Sequence, residues 1–523
     1  MFNRKGLNQR KLALPLLLLV GWFSLGAGPL WAEQTPQWIE LTPGMEKTPQ
    51  VSVLQSDFQQ VIFDVQVSGM WSADVSTKGG TFNQLGLPEY GVTNVVGEPN
   101  LPVIRKMVQI PYGAEVSVEV VSSQSQEKSL AELGILNRII PVQPPIPKVE
   151  GALENAPFVI HEDAYQKDGF YPTELARKGA IDVMRGHRFV TVEIFPVSYN
   201  PHAATVKLYS YVKVKVNLQG SDRAQTEAML RRYASPPFDD ICQHMFINYP
   251  SYQDLLKGAP AVPMGYLIIV HNDFQAQAAP LAEWKRKKGF VVTVATTSQT
   301  GTTTTSIKNY IQNAYNTWTP PPTYVLLFGD VGWIPTYTGT FSSTATDLYY
   351  VQMNSDRFGD IFRARFPVRS TTEATDIVNK LLYYEKPTAT NLEWMRHDLF
   401  IASSDDNQMA EFTHRFVIQN YLIPNGNIID SLWERLGTPS PTTITNSVNA
   451  GKTIVCYSGH GSQTGWATGS YSSSNVQGLT NADKYPLVTS HACLTGQFDQ
   501  TECFGETWVK GGEQRGHSVL GRL

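Results

Sequence analysis

The first half of the chain alternates apolar and polar residues, a pattern typical of strands with one buried face. Glycine and proline separate the clearest runs, which are 51–54, 61–67, 116–121 and 206–216. Residues 33–232 are therefore predicted to form an all-β domain, either a sandwich or a barrel.

The pattern changes near residue 265. Stretches of helical periodicity alternate with short apolar runs, which lie at 266–270, 290–294 and 324–328. Strands that alternate with helices indicate βαβ units, so residues 263–523 are predicted to form an α/β domain with a mostly parallel sheet between two helical layers. Ligands of such a sheet are expected beyond the carboxyl ends of its strands. The proline-containing residues 233–262 are predicted to connect the two domains.

The N-terminus has the pattern of a secretory signal peptide. Four basic residues lie within 4–11, residues 12–32 carry no charge, and small residues precede the possible cleavage point at Ala32. Residues 1–32 are predicted to be a signal peptide, with an uncleaved membrane anchor as the alternative. The mature chain is therefore expected to be secreted or to lie at the cell surface.

Composition excludes two classes of protein. Because 46 acidic residues outnumber 42 basic ones, the formal net charge is −4, and nucleic-acid binding has no electrostatic support. The 523 residues include only four cysteines, too few for a scaffold held together by disulfides. Each cysteine is therefore interpreted from its own surroundings.

Two predicted strands near the C-terminus lead into residues suited to nucleophilic catalysis. The run 453–458 leads to His460, which stands between two glycines, and the run 485–490 leads to Cys493. Since parallel strands end at a common edge of a sheet, the imidazole and the thiol are expected to lie side by side. The imidazole can take the thiol proton, and the amides of Gly461 and Cys493 are predicted to form an oxyanion hole.

Other interpretations of these residues stay open. A histidine at a strand end is often only a hydrogen-bonded surface residue, and a buried cysteine is often a small apolar core residue. Cys456, within an apolar run, is interpreted as core. A zinc site formed by Cys456, His460, His491 and Cys493 is a further alternative. It is disfavoured because roughly 13 Å of extended strand separates the first two.

The segments around these residues resemble the gingipain family of cysteine peptidases. Residues 457–462 and 492–506 are similar to the histidine and nucleophile motifs of that family, and 97–102 and 190–196 are similar to its pro-domain. The resemblance implies a caspase-like fold and a cysteine endopeptidase acting on proteins or peptides. It implies Cys493 as the nucleophile, His460 as the general acid/base, a pro-domain that inhibits the site, and no cofactor for the chemistry.

The resemblance also implies roles for two acids. Asp360 stands where the family has a glutamate that assists the histidine, and Glu373 lies near the register of an acid in the substrate pocket. The ordinary alternatives are a solvated acid near a turn for Asp360 and a residue that favours a helix start for Glu373.

Two further matches concern metal binding and processing. Asp330 and Asp347 fall near the calcium ligands of the family, so a structural calcium ion is compatible with the resemblance, and the two residues are otherwise ordinary strand-end acids. Arg231 and Arg232 form a basic pair at which processing is expected, with a solvated pair as the alternative.

The C-terminal region is shorter than the family pattern. Only 30 residues follow Cys493, and the last of them, 511–523, form a glycine-rich, charged tail where the family has an apolar strand. The catalytic domain is therefore expected to be truncated and its sheet to lack a strand. Two functions follow: a secreted cysteine endopeptidase made as a zymogen, or a non-catalytic secretion or surface-assembly protein that retains the peptidase fold.

Overall fold

The structure is a computed structural model, and it describes residues 31–32, 36–146, 155–256, 263–340, 344–386, 392–404, 409–510 and 520–522. The predicted signal peptide lies outside these residues except for Trp31–Ala32. Within the described ranges, no helix has the length and apolar character needed to cross a membrane.

The N-terminal half consists of strands that form three antiparallel sheets. The strands are β1 (Trp31–Ala32), β2 (Gln37–Glu40), β3 (Gln50–Ser56), β4 (Gln60–Gln66), β5 (Gly69–Thr77), β6 (Gly80–Gly86), β7 (Gly91–Val92), β8 (Pro102–Gln109), β9 (Glu115–Ser129), β10 (Ala176–Met184), β11 (His187–Ile194), β12 (Val197–Asn200) and β13 (Thr205–Gln219). The sheet orders are β1-β5-β2 with β6 on β5, β10-β11-β8-β7, and β12-β13-β4-β3 with β9 on β13.

One hydrophobic core joins the second and third of these sheets. Along β13, Val212, Val214 and Val216 are buried in alternation, and they pack in the same cluster as Phe63 of β4 and Val190 of β11. Because successive side chains of a strand face opposite sides, the alternating sequence buries one face of β13. The all-β prediction for this half is confirmed.

The end of the range predicted as all-β is a helix, and the described part of the predicted connector is mostly helical. After the short helix α1 (Glu162–Gln166) come α2 (Arg223–Tyr233), α3 (Pro236–Met245) and α4 (Pro250–Gln253). Cys242 of α3 is buried against Met184 and Phe189, and the Asn248 side-chain oxygen accepts a hydrogen bond from the Gln109 amide at 2.8 Å. Residues 234–256 thus pack mainly on the N-terminal half, whereas Tyr233 at the end of α2 packs in a cluster with Leu267 and Ile269 of the C-terminal half.

The C-terminal half contains two parallel sheets. Its strands are β14 (Gly265–Val270), β15 (Val291–Thr296), β16 (Pro322–Phe328), β17 (Tyr337–Thr338), β18 (Ala345–Thr346), β19 (Phe362–Phe366), β20 (His397–Ala402), β21 (Ile428–Trp433), β22 (Ile454–Ser458), β23 (Gly461–Ser462), β24 (Gly465–Trp466), β25 (Tyr471–Ser472), β26 (Leu487–His491) and β27 (Leu520–Arg522). The first parallel sheet has the order β15-β14-β16-β19, and the second has the order β21-β20-β22-β26-β27. The α/β prediction is confirmed, with two parallel sheets instead of one.

Helices cover both faces of each parallel sheet. They are α5 (Gln275–Lys287), α6 (Thr297–Thr300), α7 (Thr304–Thr317), α8 (Thr371–Glu385), α9 (Met409–Val417), α10 (Pro441–Asn449), α11 (Ser473–Gln477) and α12 (Phe504–Lys510). On the first sheet, α5 and α8 share a core on one face and α7 packs on the other. On the second sheet, α10 and α12 share a core on one face, and Ala410 of α9 packs in the core of the other.

The C-terminal tail contributes an edge strand to the second sheet. The backbone of Leu520–Arg522 runs parallel to β26, with Leu487 opposite Leu520. The expectation that the sheet lacks a strand there is therefore wrong.

Candidate active site

The two predicted catalytic residues follow adjacent strands. β22 and β26 are parallel neighbours, and Ser458 at the end of one pairs with His491 at the end of the other. His460 and Cys493 each lie two positions beyond this pair, so the structure brings both residues to the carboxyl edge of the second sheet. His460 is exposed, and Cys493 is half-buried.

Gly461 brings the histidine segment into direct contact with the cysteine segment. A Cβ atom at Gly461 would lie 2.9 Å from the Cys493 carbonyl oxygen and 2.8 Å from the side chains of Ala492 and Thr495. Such distances are closer than carbon atoms approach without repulsion. Only glycine therefore allows the residue after His460 to pack on the turn that carries Cys493.

We expect Gly461→Ala to destabilise this contact. Inserting a methyl group into a packed region costs about 1–3 kcal/mol, which corresponds to a fall of several degrees in the melting temperature. Differential scanning calorimetry measures the change. Gly332→Ala is the control, because a Cβ there meets no atom within 4 Å. Equal melting temperatures for the two variants would contradict the close contact.

The peptide between His460 and Gly461 has a fixed orientation. The His460 carbonyl oxygen accepts hydrogen bonds from the Tyr457 hydroxyl at 2.6 Å and from the Ala467 amide at 3.0 Å. In a trans peptide the carbonyl and the following N–H point in opposite directions. The Gly461 amide therefore faces away from Tyr457 and Ala467.

A tight turn holds the cysteine. The Thr495 amide donates to the Cys493 carbonyl at 2.7 Å, and Leu494 between them has a φ of 60°, a strained value for a non-glycine residue. Side chains support the turn: the Thr495 and Ser490 hydroxyl oxygens are 3.0 Å apart, and the Trp466 indole N–H donates to Ser490 at 2.9 Å. Strain kept in place by surrounding contacts is typical of functional sites.

The other three cysteines are structural. Cys242, Cys456 and Cys503 are buried, whereas Cys493 is partly accessible. Burial raises the pKa of the Cys456 thiol, and burial with the nearby Glu506 raises the pKa of Cys503 to about 12. These thiols stay protonated at neutral pH. The interpretation of Cys456 as core is confirmed, because it packs between Phe400 and Trp433.

His414 lies behind the strand that leads to His460. Its Nε2 is 2.9 Å from the Ser458 hydroxyl and 3.5 Å from the Cys456 sulfur. Burial, with a smaller effect of His491, lowers the pKa of His414 to about 4. Cys456 thus has His414 as its neighbour, and among the described residues no group of three or more His, Cys, Asp or Glu side chains is arranged to hold a metal ion.

The low pKa of His414 predicts a loss of stability in acid. His414 stays neutral in the folded chain below pH 6.5, where unfolded histidine takes up a proton, so its contribution is lost as the pH falls from 6.5 towards 4. At pH 5 the loss is about 2 kcal/mol. We expect the stability difference between wild type and His414→Phe to shrink by that amount between pH 7.5 and pH 5 in urea titrations. The exposed His202 serves as the control site, and an unchanged difference for His414→Phe would contradict the assignment.

The structure corrects the role of Asp360. This residue precedes β19, at the amino edge of the first parallel sheet, whereas His460 lies at the carboxyl edge of the second. The Asp360 carboxylate accepts hydrogen bonds from the amides of Arg185 and Met353, both at 2.8 Å, and from the Asn354 side chain at 3.0 Å. Burial raises the pKa of Asp360 to about 6. Asp360 therefore binds the N-terminal half of the chain and does not assist His460.

Glu373 stabilises the start of a helix. It lies in the first turn of α8, where its carboxylate accepts from the Arg369 amide at 2.7 Å and its own amide donates to the Ser370 hydroxyl at 3.2 Å. Ser370 is thus the N-cap of α8, and the Glu373 carboxylate holds the amide of the residue before it. The structure thus assigns Glu373 to the cap instead of the substrate pocket.

The two acids considered as calcium ligands are paired with arginines. Asp347 receives two hydrogen bonds from the Arg365 guanidinium, both at 2.8 Å, and Asp330 is in close contact with the Arg369 guanidinium. A calcium ion would have to displace these cations, so the carboxylates do not fit a calcium site in this arrangement.

The basic pair expected at the processing site lies in the last turn of α2. The Arg231 guanidinium donates to Glu227 at 2.9 Å, and Arg232 donates to the Tyr315 carbonyl at 3.2 Å. Cleavage at this pair requires the end of α2 to unfold first.

Several residues of the site were not predicted as functional. Tyr457 and Ser490 hold the two segments, and Leu494 carries the strained turn. The sequence indicates these residues only by their position close to His460 and Cys493. Their roles could not be predicted, because the hydroxyl contacts and the positive φ depend on the folded backbone.

Comparison with known proteins identifies the family. The profile of peptidase family C25 matches residues 259–520, and the profile Propeptide C25 matches residues 43–255. The chain belongs to peptidase family C25. The boundary between the two C25 profiles falls close to the end of the helices that pack on the β half, so the β half corresponds to the C25 propeptide.

Individual C25 relatives come from Porphyromonas gingivalis. Lys-gingipain W83 is 30% identical over 517 residues, covering 97% of this chain and 29% of the relative. Gingipain R2 is 26% identical over 476 residues, covering 89% of this chain and 63% of the relative. A crystal structure of the Arg-specific cysteine proteinase gingipain R matches with a TM-score of 0.45 and 26% identity, over 49% of this chain and 61% of that one. The chain therefore spans less than a third of the length of its Lys-gingipain relatives.

Proposed function

We propose that the chain is a secreted cysteine endopeptidase made as a zymogen. The observation that carries the proposal is the placement of His460 and Cys493 two residues beyond a matched pair of parallel strands. The direct packing of Gly461 on the Cys493 turn supports it, as does membership in peptidase family C25. The substrates are proteins or peptides, and the chemistry needs no cofactor.

The proposed reaction is peptide hydrolysis through a thioester. His460 accepts the proton of the Cys493 thiol while the sulfur attacks the scissile carbonyl carbon. The tetrahedral intermediate collapses, the carbon–nitrogen bond breaks, and the leaving amine takes the proton from His460. A water molecule, deprotonated by His460, then attacks the thioester and releases the acid and the Cys493 thiol.

The amides of Gly461 and Cys493 are the proposed oxyanion donors. Hydrogen bonds from Tyr457 and Ala467 fix the His460 carbonyl, so that the Gly461 amide points away from both residues. Backbone donors fixed before the reaction stabilise the negative charge of the intermediate without reorganisation, and one such donor is worth about 3–4 kcal/mol.

The propeptide half is the proposed inhibitor. Its contacts with the catalytic half include the Arg185 amide on Asp360 and the Arg357 side chain on Asp182. A propeptide tethered to the enzyme stays bound because its effective concentration is high until the connecting chain is cut. Latency therefore ends only when the propeptide dissociates.

Covalent labelling tests the proposal and its alternative. We expect a peptidyl acyloxymethyl ketone to add one group to Cys493 of the propeptide-free chain, located by peptide mass mapping. Denatured protein is the control, because unfolding removes the pairing with His460. No adduct on folded protein would favour the alternative, a secretion or surface-assembly protein that retains the peptidase fold.

A further inference from the structure

The chain after Cys493 leads into a helix that contacts both catalytic segments. The Gly505 amide in the first turn of α12 donates to the Thr495 carbonyl at 2.8 Å, and the Phe504 amide donates to the Gln463 carbonyl at 2.7 Å. Residues 492–503, here called the nucleophile segment, are therefore fixed at one end by the turn at Cys493 and at the other by α12.

Glu506 connects α12 to the first parallel sheet. It is fully buried, and its carboxylate accepts a hydrogen bond from the Cys503 amide at 2.8 Å. The Arg369 guanidinium, which follows β19, lies 4.0 Å from the same carboxylate oxygen. Arg369 is itself held by Asp330, which follows β16. Arg369 thus contacts Asp330, which follows a strand of the first parallel sheet, and Glu506, which lies in a helix packed on the second parallel sheet.

A second contact joins the same two parts. Within the nucleophile segment, the Phe498 ring packs under the Arg365 guanidinium, with 5.5 Å between the guanidinium carbon and the ring centre. Arg365 belongs to β19 and is held by Asp347. The nucleophile segment therefore rests on the carboxyl edge of the first sheet at two places.

We propose that Glu506 is a positioning residue: held by Arg369, its carboxylate fixes the nucleophile segment against the first sheet and so orients Cys493 towards His460. This role rests on the proposed peptidase function. Orientation matters because a small displacement of a catalytic group is enough to lower a rate strongly.

The charge of Glu506 depends on pH in the neutral range. Burial raises the pKa of Glu506 to about 7, although Lys510 and Arg369 favour the anion. Among the described residues, Glu506 Oε1 and the Lys510 ammonium have no hydrogen-bond partner and lie 3.9 Å apart. The charged or titratable groups around the carboxylate are Glu502, Cys503 and Lys510 from its own segment and Asp330 and Arg369 from the first sheet.

The sign of the effect follows from the attraction to Arg369. Above pH 7 Glu506 is an anion and holds the guanidinium, whereas below pH 7 it is neutral and the hold weakens. Glutamine at this position resembles the neutral form at every pH. The difference between wild type and Glu506→Gln should therefore be large at pH 8 and small at pH 6.

Peptide hydrolysis and hydrogen exchange test this role together. At pH 8 we expect Glu506→Gln to lower kcat about tenfold with KM changed by less than about threefold, and at pH 6 we expect both enzymes to agree within about threefold. In the uncleaved full chain at pH 8, amides of residues 494–505 should exchange about fivefold faster in the variant. Glu385→Gln is the matched control, because the Glu385 carboxylate is held by Lys285 and Lys288 and contacts neither Arg369 nor the nucleophile segment among the described ion pairs.

Each outcome decides the proposal. Equal kcat at pH 8 overturns it, and a loss of the same size at pH 6 and pH 8 also overturns it, because a structural defect does not follow the charge. If wild type hydrolyses nothing, the peptidase function fails, and the exchange rates alone decide the positioning role. If Glu506→Gln does not fold, Arg369→Gln removes the partner from the other side and is expected to show the same dependence on pH.

Discussion

Cys493→Ala is expected to abolish peptide hydrolysis, with a loss of about 10⁴-fold or more, because no other group can form the thioester. The fold should survive, since Cys493 is only half-buried and its side chain fills no core position. Rates are measured on propeptide-free protein, and the melting temperature of the full chain is measured in parallel.

Cys456→Ala is the matched control for this substitution. Cys456 is buried between β20, β21 and α9, so its loss leaves a cavity and lowers stability by about 1–2 kcal/mol without touching the chemistry. Retained hydrolysis in Cys493→Ala, or its loss in a folded Cys456→Ala, would contradict the assignment of the nucleophile.

Arg185→Ala is expected to release the propeptide half. Arg185 lies in the turn between β10 and β11, with a φ of 49°, and its side chain is buried. The guanidinium donates to the Pro321 and Pro322 carbonyls, to the Thr323 hydroxyl and to the Tyr233 carbonyl. This turn packs against the amino edge of the first parallel sheet, where Asp360 and the first residue of β16 lie.

The expected effect is large because the substitution leaves buried acceptors without a partner. Each buried acceptor left unpaired costs about 1–3 kcal/mol, so losing the three bonds to Pro321, Pro322 and Thr323 costs about 3–5 kcal/mol, which corresponds to an affinity between the two halves about 10²- to 10⁴-fold lower. A protease site inserted between residues 256 and 263 splits the chain, and size-exclusion chromatography then shows whether the halves stay together.

Arg357→Ala is the control at the same interface. Arg357 contacts Asp182 at 2.7 Å, and 68% of the Arg357 side chain is exposed although Asp182 is buried. Water therefore reaches one side of the pair, and its loss costs less than the loss of the fully buried Arg185 contacts. We therefore expect the halves of this variant to remain together. Co-elution of the halves of Arg185→Ala, with an affinity close to that of wild type, would contradict the anchoring role of Arg185.

The sequence was most informative where function depends on local periodicity. The apolar runs before His460 and Cys493 mark strands, and parallel strands end at one edge, so their meeting could be predicted without coordinates. The same reasoning placed the helices that alternate with these strands. It did not distinguish two parallel sheets from one, because the pairing of strands is a long-range property that periodicity does not contain.

The failures involve contacts between distant parts of the chain. Asp360 was matched to a family position, but its partner is the Arg185 amide, 175 positions away. Arg369 contacts Asp330 next to the first parallel sheet and Glu506 in a helix on the second. The sequence around each of these three residues gives no indication that they lie close together. Glu373 shows the opposite case, since its ordinary role at a helix start follows from the four residues before it.

Alkylation of Cys493 shows whether Cys493 and His460 act as a pair. Iodoacetamide is added to the propeptide-free chain at pH 6.5, and the rate at Cys493 is followed by peptide mass mapping in wild type and in His460→Ala. An unassisted thiol is only a few per cent thiolate at neutral pH. We expect wild type to react about tenfold faster or more than the variant; equal rates in two folded proteins would show that His460 does not activate Cys493.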